Sequence, residues 1–298
     1  MKVMEKKLNK KEIGNLFTGL KPEKLDKLIK QCTCTGISMN EMRAISKLNK
    51  EYKNRFIRKI ISSTYSNFKN TKNEVRIELK ERIPRNMAPM NKRFKLFSGD
   101  IENVYTNIKR DSVDFIITDP PYPEKYLPLY DTLGKISDYC LKEGGSLLCM
   151  TGQSYLPNVM RRLDKHLTYN WTLSYYTPGG KAVQVWPRKV LVSWKPVLWF
   201  TKGKYKKDWV GDVVKSATNE NDKRFHCWGQ TMSGMEEIFQ RFVYPGDLIL
   251  DPFLGGGTTG IVALKKNCSF IGVDIDKECI VKSRMRIKNA IKKWESEK

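Results

Sequence analysis

Gly255, Gly257 and Gly260 stand in the spacing G-x-G-x-x-G. They follow Asp247-Leu-Ile-Leu-Asp251, an apolar run that reads as a buried strand, and precede Ile261-Val-Ala-Leu-Lys265, which reads as the start of a helix. Glycines in such a turn let backbone come close to a ligand. The helix N-terminus then offers free N–H groups and a partial positive charge. Asp274 ends the next apolar run, Phe270-Ile-Gly-Val-Asp274. It lies about 20 residues past Gly255, where a carboxylate can take ribose hydroxyls. The expected ligand is a nucleoside-containing cofactor.

The glycine pattern alone leaves a nicotinamide cofactor and S-adenosylmethionine both open. A second motif chooses. Asp119-Pro-Pro-Tyr122 follows Val113-Asp-Phe-Ile-Ile-Thr118, another strand-like run. Together with Asp251-Pro-Phe-Leu-Gly-Gly-Gly-Thr-Thr259 it resembles the DNA amino-methyltransferases, which methylate adenine N6 or cytosine N4. The resemblance covers roughly residues 95 to 285. The Asp-Pro-Pro-Tyr precedes the glycine motif, as in the β-type permutation of that family.

The resemblance implies S-adenosylmethionine as cofactor and assigns roles by position. Asp119 and the Pro120 carbonyl would accept the two N–H groups of the target amine. Pro121 would help to fix the backbone, since paired prolines are stiff and lack an N–H. Tyr122 would stack on the base. Asp251, Phe253, Gly255, Gly257, Thr258, Thr259 and Asp274 would line the cofactor, with Asp274 on the ribose and the two threonines near the amino-acid end. Asp100, in Phe94-Lys-Leu-Phe-Ser-Gly-Asp100, occupies the place of the acid that reaches the adenine. His226 and Gln230 fall in the segment expected over the methionine end. Asp at the first motif position leans towards adenine; Ser is commoner for cytosine N4. The implied reaction is therefore methylation of adenine N6 in double-stranded DNA with the target base flipped, in a restriction-modification setting. A cytosine-N4 or RNA adenine methyltransferase, and a nucleic-acid-binding protein with a vestigial methyltransferase fold, stay open. A nicotinamide oxidoreductase would lack an obvious hydride-transfer partner.

These residues need a scaffold. The 298 residues suffice for one large α/β domain and a smaller appendage. The expected fold is α/β, a Rossmann-like methyltransferase sheet, mostly parallel with one antiparallel strand, behind a small basic helical domain. The antiparallel pair is expected between Trp171 and Thr201. Helices are expected over Leu127 to Lys142, ended by Gly144-Gly145, and over Leu156 to Leu163. A buried strand is expected over Ser146 to Thr151. Trp171 and Trp199 read as sheet core. The tail from Lys277 reads as a basic helix closing the sheet edge.

Net charge is +23, from 55 Lys and Arg against 32 Asp and Glu, which points to a polyanionic partner. Residues 1 to 95 carry 25 basic and 9 acidic residues, net +16. The domain boundary is set at 90: a basic helical N-terminal domain over 1–90 and the methyltransferase domain over 91–298, joined by a proline-containing linker from Pro84 to Lys95. Ser38 and Glu41 fit a capping box, opening a long helix from Met42 to Ile60 whose basic face includes Arg43 and Lys47. A helix-turn-helix and a simple two-helix packing both fit this segment. Six of the seven tryptophans fall between Trp171 and Trp228, among Lys181, Arg188, Lys189, Lys195, Lys202 and Lys204. Rings mixed with cations suit splayed-out bases. Trp186, Lys181, Arg188 and Lys189 are the nucleic-acid candidates there, with Arg43 and Lys47 in the helical domain. Seven cysteines without a framework and two histidines indicate a reducing compartment and no metal site. No apolar run approaches membrane-spanning length. The expectation is a soluble cytoplasmic protein, with a homodimer open.

Overall fold

The computed structural model describes residues 10–35, 37, 39–46, 50–63, 71, 75, 88–178, 183–205, 209–217 and 231–296. The chain divides into two compact units, residues 1–87 and 88–298.

The described part of the first unit is helical. Its described helices are α1 (Lys10–Leu16), α2 (Pro22–Thr35), α3 (Met39–Ser46) and α4 (Lys50–Ile61). Pro22 opens α2, where its missing N–H costs nothing, and Glu23 faces the positive helix end. Ile13, Leu28, Cys32, Met42, Ile45, Phe56 and Ile60 recur at helical spacing and form one buried cluster. Of the long helix expected over Met42 to Ile60, the described residues form α3 and α4; 47–49 lie outside the described residues. Ser38 of the expected capping box lies outside them too, and Glu41 is buried.

In chain order the second unit holds β1 (Phe94–Ser98), α5 (Ile101–Val104), β2 (Val113–Thr118), α6 (Leu127–Cys140), β3 (Leu141–Met150), α7 (Leu156–Leu163) and β4 (Thr168–Tyr176). There follow β5 (Val183–Val185), β6 (Val190–Val192), β7 (Trp194–Thr201), β8 (Val213–Lys215), α8 (Met232–Phe242), β9 (Leu248–Asp251), α9 (Thr258–Lys265), β10 (Ser269–Asp274) and α10 (Lys277–Ser296). Eight strands form one sheet in the order β1-β10-β9-β2-β3-β7-β4-β8, while β5 and β6 form a separate hairpin. Among the described residues only β7 runs antiparallel to its neighbours in the large sheet.

Both faces of the sheet are covered, so its strands are apolar on both sides. Ile116, Leu147, Cys149, Leu198 and Phe200 pack with α6 and α7. Their neighbours Phe115, Ile117, Leu148, Met150, Val197 and Trp199 point the other way and pack with α8 and α9. The period of two thus divides each strand between two cores.

Adjacent strands β2 and β9 mark the switch in chain direction. From β2 the chain crosses through α6 to β3; from β9 it crosses through α9 to β10, on the opposite side. Right-handed crossovers leaving in opposite directions put their helices on opposite faces. This opens a crevice at the carboxyl ends of β2 and β9, the place where open α/β sheets hold ligands.

Three expectations need correction. Gly144-Gly145 does not end α6, because β3 already begins at Leu141. The pairing Val113–Leu141 resumes at Phe115–Ser146, so the glycines carry a bulge, with Gly144 at φ +78°. Residues 88–95 are not purely linker: a 3-10 turn over Met90–Lys92 leads into β1, and Arg93 is buried. Trp171 is not core but 54% exposed. β8 flanks β4 only from Ser174 to Tyr176, so Trp171 lies beyond the covering strand, and its indole N–H donates to Asp212.

Candidate active site

The glycine turn begins at Asp251, the last residue of β9. Asp251 is buried. Its Oδ1 accepts from Thr118 Oγ1 at 2.7 Å and from the Phe253 N–H at 3.2 Å. Thr118 ends β2, so this bond ties the two motif-bearing strands together. Burial pushes the Asp251 carboxyl up to about 6, against the pull of hydrogen bonds from Thr118, Thr259 and Phe253.

Gly255 (φ +50°) and Gly257 (φ +76°) take the left-handed conformation that reverses the chain into α9. The turn is held from both sides. Asp274, ending β10, accepts the Gly255 N–H at 2.8 Å and the Asp276 N–H at 2.9 Å. From α10, Ser283 donates to the Gly255 carbonyl at 2.7 Å, and Arg286 donates to the Gly256 carbonyl at 2.7 Å and to Thr258 Oγ1 at 3.1 Å. The Gly255–Gly256 peptide is trans, so its N–H points away from α10. A Cβ at Gly257 would come within 2.9 Å of Ser283, and one at Gly260 within 2.7 Å of Phe270. Gly257 is therefore required by packing as well as by the turn, and Gly260, inside α9, by packing.

Asp100 lies past the end of β1 and caps α5, accepting the Glu102 N–H at 3.0 Å. Ser98 pairs with Asp274 across the β1–β10 ladder, and the Gly99 N–H donates to the Asp274 carbonyl. The two acids thus stand at neighbouring strand ends. Ile275, which the sequence reading passed over, is 72% exposed beside Asp274. Its signal was an apolar residue just past the end of the strand. Phe253 is half-buried, whereas Thr258 and Thr259 are buried. His226 and Gln230 lie outside the described residues.

On the β2 side, Asp119-Pro-Pro-Tyr122 turns out of the strand end. Pro120 is buried; Asp119, Pro121 and Tyr122 are half-buried. The Tyr122 hydroxyl donates to Asp119 Oδ1. Burial, then the Asp119 carboxylate, push the Tyr122 phenol far above its ordinary range, so it keeps its proton. Gly152, two residues past the end of β3, lies against the Tyr122 ring, where a Cβ would come within 3.4 Å.

Lys195 completes this corner. Its Nζ lies 3.3 Å from Asp119 Oδ2 and 5.2 Å from the centroid of the Tyr122 ring. The sequence reading counted Lys195 only among the cations of its region. The signal available was its register: Lys195 alternates with Val197 and Trp199, an inward row of β7.

The β5–β6 hairpin leaves the carboxyl end of β4 and returns into β7. Trp186 begins the 3-10 turn at its tip and is 78% exposed. Arg188 donates to the Ser154 carbonyl at 3.0 Å, and Lys189 takes a left-handed conformation at φ +50°. Lys181 and Lys47 lie outside the described residues; Arg43 is in α3. The structure thus brings Asp119, Pro120, Pro121, Tyr122 and the glycine turn to one crevice. Arg43 belongs to the separate helical unit. Among the described residues no cluster of His, Cys, Asp or Glu could hold a metal, and no helix is long and apolar enough to cross a membrane.

A family model described as DNA methylase matches residues 232–284, the stretch from α8 through the glycine turn into α10. The type II methyltransferase M.HpaI of Haemophilus parainfluenzae is 26% identical over 245 residues, 68% of this chain and 76% of that protein. Among solved structures, the M1.HpyAVI–SAM complex aligns with a TM-score of 0.56 and 21% identity, covering 65% of this chain and 98% of that one. The cytosine-N4-specific PvuII DNA methyltransferase aligns with a TM-score of 0.56 and 17% identity, covering 67% and 92%.

Proposed function

We propose that the chain is a member of the N6/N4 DNA methylase family, whose model matches residues 232–284, and that it transfers a methyl group from S-adenosylmethionine to the N6 amine of adenine in DNA. The observation that carries this reading is the meeting of Asp119-Pro-Pro-Tyr122 with the glycine turn at adjacent strand ends, tied by the Thr118–Asp251 hydrogen bond.

The residues of the crevice fit the cofactor. Asp274 and Asp100 put carboxylates at neighbouring strand ends, suited to ribose hydroxyls and the adenine amine. Ile275 adds exposed apolar surface for a ring. The glycine turn holds backbone N–H groups free of side-chain bulk. When bound, S-adenosylmethionine supplies an electrophilic methyl on a sulfonium.

The chain's own part is to prepare the amine. An adenine amine is a weak nucleophile because its lone pair delocalises into the ring. Asp119 and the Pro120 carbonyl accept its two N–H groups and draw the lone pair out of conjugation. The double proline holds that carbonyl in place. Positive charge grows on the amine as its new bond forms, so the Asp119 carboxylate favours the transition state over the ground state. Tyr122, a neutral phenol, holds Asp119 in the free site and offers its ring face to the base. Asp119 is only 17% exposed, so a base within a duplex must leave the stack to reach it. Asp rather than Ser at the first motif position supports adenine over cytosine. The basic helical unit and the Trp186 hairpin supply phosphate attraction and ring contact.

The test is transfer of labelled methyl from S-adenosylmethionine to duplex DNA, with nucleoside mass spectrometry of the product. N6-methyladenine supports the reading; N4-methylcytosine moves the target within the family; methylation of RNA alone, or no transfer, refutes it.

A further inference from the structure

We propose that Lys195 reads the target base, donating a hydrogen bond to the ring nitrogen beside the amine that Asp119 takes. The proposal rests on the methyl-transfer reading above and names how that site selects its base.

Phe115, Ile117 and Asp119 alternate along and just beyond β2; Lys195, Val197 and Trp199 alternate along β7. The apolar members of both rows belong to the same core, so the two charged residues emerge on the same face of the sheet. Between them lies β3, which beyond Met150 presents Gly152 rather than a side chain. The ammonium can therefore reach across to Asp119 Oδ2, at 3.3 Å. Lys195 keeps about a third of its side-chain surface exposed, 36%, at the rim of the crevice. Among the described residues it is the cation paired with Asp119.

The pair is an acceptor beside a donor at hydrogen-bond spacing. A carboxylate only accepts; an ammonium carries three N–H groups, of which Asp119 takes one. Adenine presents the complement on its pairing edge: the N6 amine donates and N1 accepts. Cytosine presents the same pattern with its N4 amine and N3. Guanine and thymine carry a carbonyl oxygen where the amine would be, and that oxygen would face the carboxylate. Asp119 and Lys195 together thus accept amino bases and repel the other two. Donation to the ring nitrogen also occupies the most basic lone pair on that edge, which leaves the amine as the position open to methylation.

A lysine that merely neutralises Asp119 would not sense the ring nitrogen, and this separates the two roles. The experiment uses a duplex carrying the mapped target site, with adenine or 1-deazaadenine at the target (3-deazacytosine if the mapped base is cytosine). Single-turnover methyl transfer is measured for the wild type, Lys195→Met and Lys195→Gln, with calorimetric S-adenosylmethionine binding as a check on folding. Replacing the ring nitrogen by C–H should slow the wild type about 10- to 100-fold, the cost of one hydrogen bond to a charged donor. The same replacement should cost Lys195→Met only the intrinsic effect of the base analogue, and Lys195→Gln, which keeps an N–H donor, an intermediate amount. The intrinsic effect of the base analogue is common to all three proteins and cancels in the comparison. Equal penalties in all three overturn the role of Lys195, as does an unpenalised wild type. A wild type that methylates no unmodified duplex overturns the methyl-transfer reading, and this proposal with it.

Discussion

Asp119→Asn tests the centre of the mechanism because it keeps the shape of the side chain and removes its charge. In the free site one carboxylate oxygen takes the Tyr122 hydroxyl and the other takes the Lys195 ammonium at 3.3 Å. An amide has one acceptor oxygen. With that oxygen towards Tyr122, its NH2 faces the ammonium, donor against donor; with the oxygen towards Lys195, the NH2 faces the phenol and the incoming amine. A full positive charge about 3 Å from a carboxylate, at an effective dielectric of about 20, interacts by about 5 kcal/mol. With about half a charge on the amine at the transition state, about 2 to 3 kcal/mol is at stake. That is about a hundredfold in rate, within the range found for removal of one well-placed electrostatic partner. Lys195 already offsets part of the Asp119 charge, so the lower end of that range is expected. The assay is single-turnover methyl transfer, with S-adenosylmethionine affinity by calorimetry and DNA affinity by anisotropy. The expected result is nearly unchanged binding of both and transfer slowed about a hundredfold. A fall of only a few-fold would refute the electrostatic argument and leave the Pro120 carbonyl and methyl alignment as the main contributors.

Asp274→Ala leaves the Gly255 and Asp276 N–H groups without their acceptor; S-adenosylmethionine binding should weaken by roughly 1–3 kcal/mol, and unchanged calorimetric affinity would remove Asp274 from the site. Asp251 has a folded pKa of about 6, above its ordinary value of 3.8. A raised carboxyl binds extra protons in the folded state, so its contribution to stability is full below about pH 4 and is lost as pH rises through about 6. Asp251→Asn removes that dependence, and between pH 4 and 7 the variant should gain about 2 to 3 kcal/mol on the wild type; parallel curves of melting temperature against pH would contradict the assignment. Deleting residues 1–87 should flatten the salt dependence of DNA binding, since fewer counterions are then released, while S-adenosylmethionine binding stays intact. An unchanged slope would mean that the charge of the helical unit is only solvated.

What could be read from the sequence is what neighbouring residues decide among themselves. The glycine turn, the double proline and the apolar runs that flank them are local. Each is made by a few consecutive residues whose backbone preferences and period agree, so the strand–turn–helix around Gly255 and the strand end at Asp119 were legible without coordinates. Their meeting at neighbouring strand ends comes from the sheet order, which sets β2 beside β9. The rest depended on distance through space. Asp119 and Lys195 are 76 residues apart in the chain, and their meeting required the order β2-β3-β7 and a glycine beyond β3. The hold of Asp274 on Gly255, and of Ser283 and Arg286 on the turn's carbonyls, likewise comes from elements that pack only in the folded unit. Trp171 belongs to the same class. Its composition and strand spoke for a core residue, and only the short reach of β8 left it exposed. Local chemistry names the groups that can react; the sheet order decides which charge stands beside which, because electrostatic and packing energies depend on separation in space rather than along the chain.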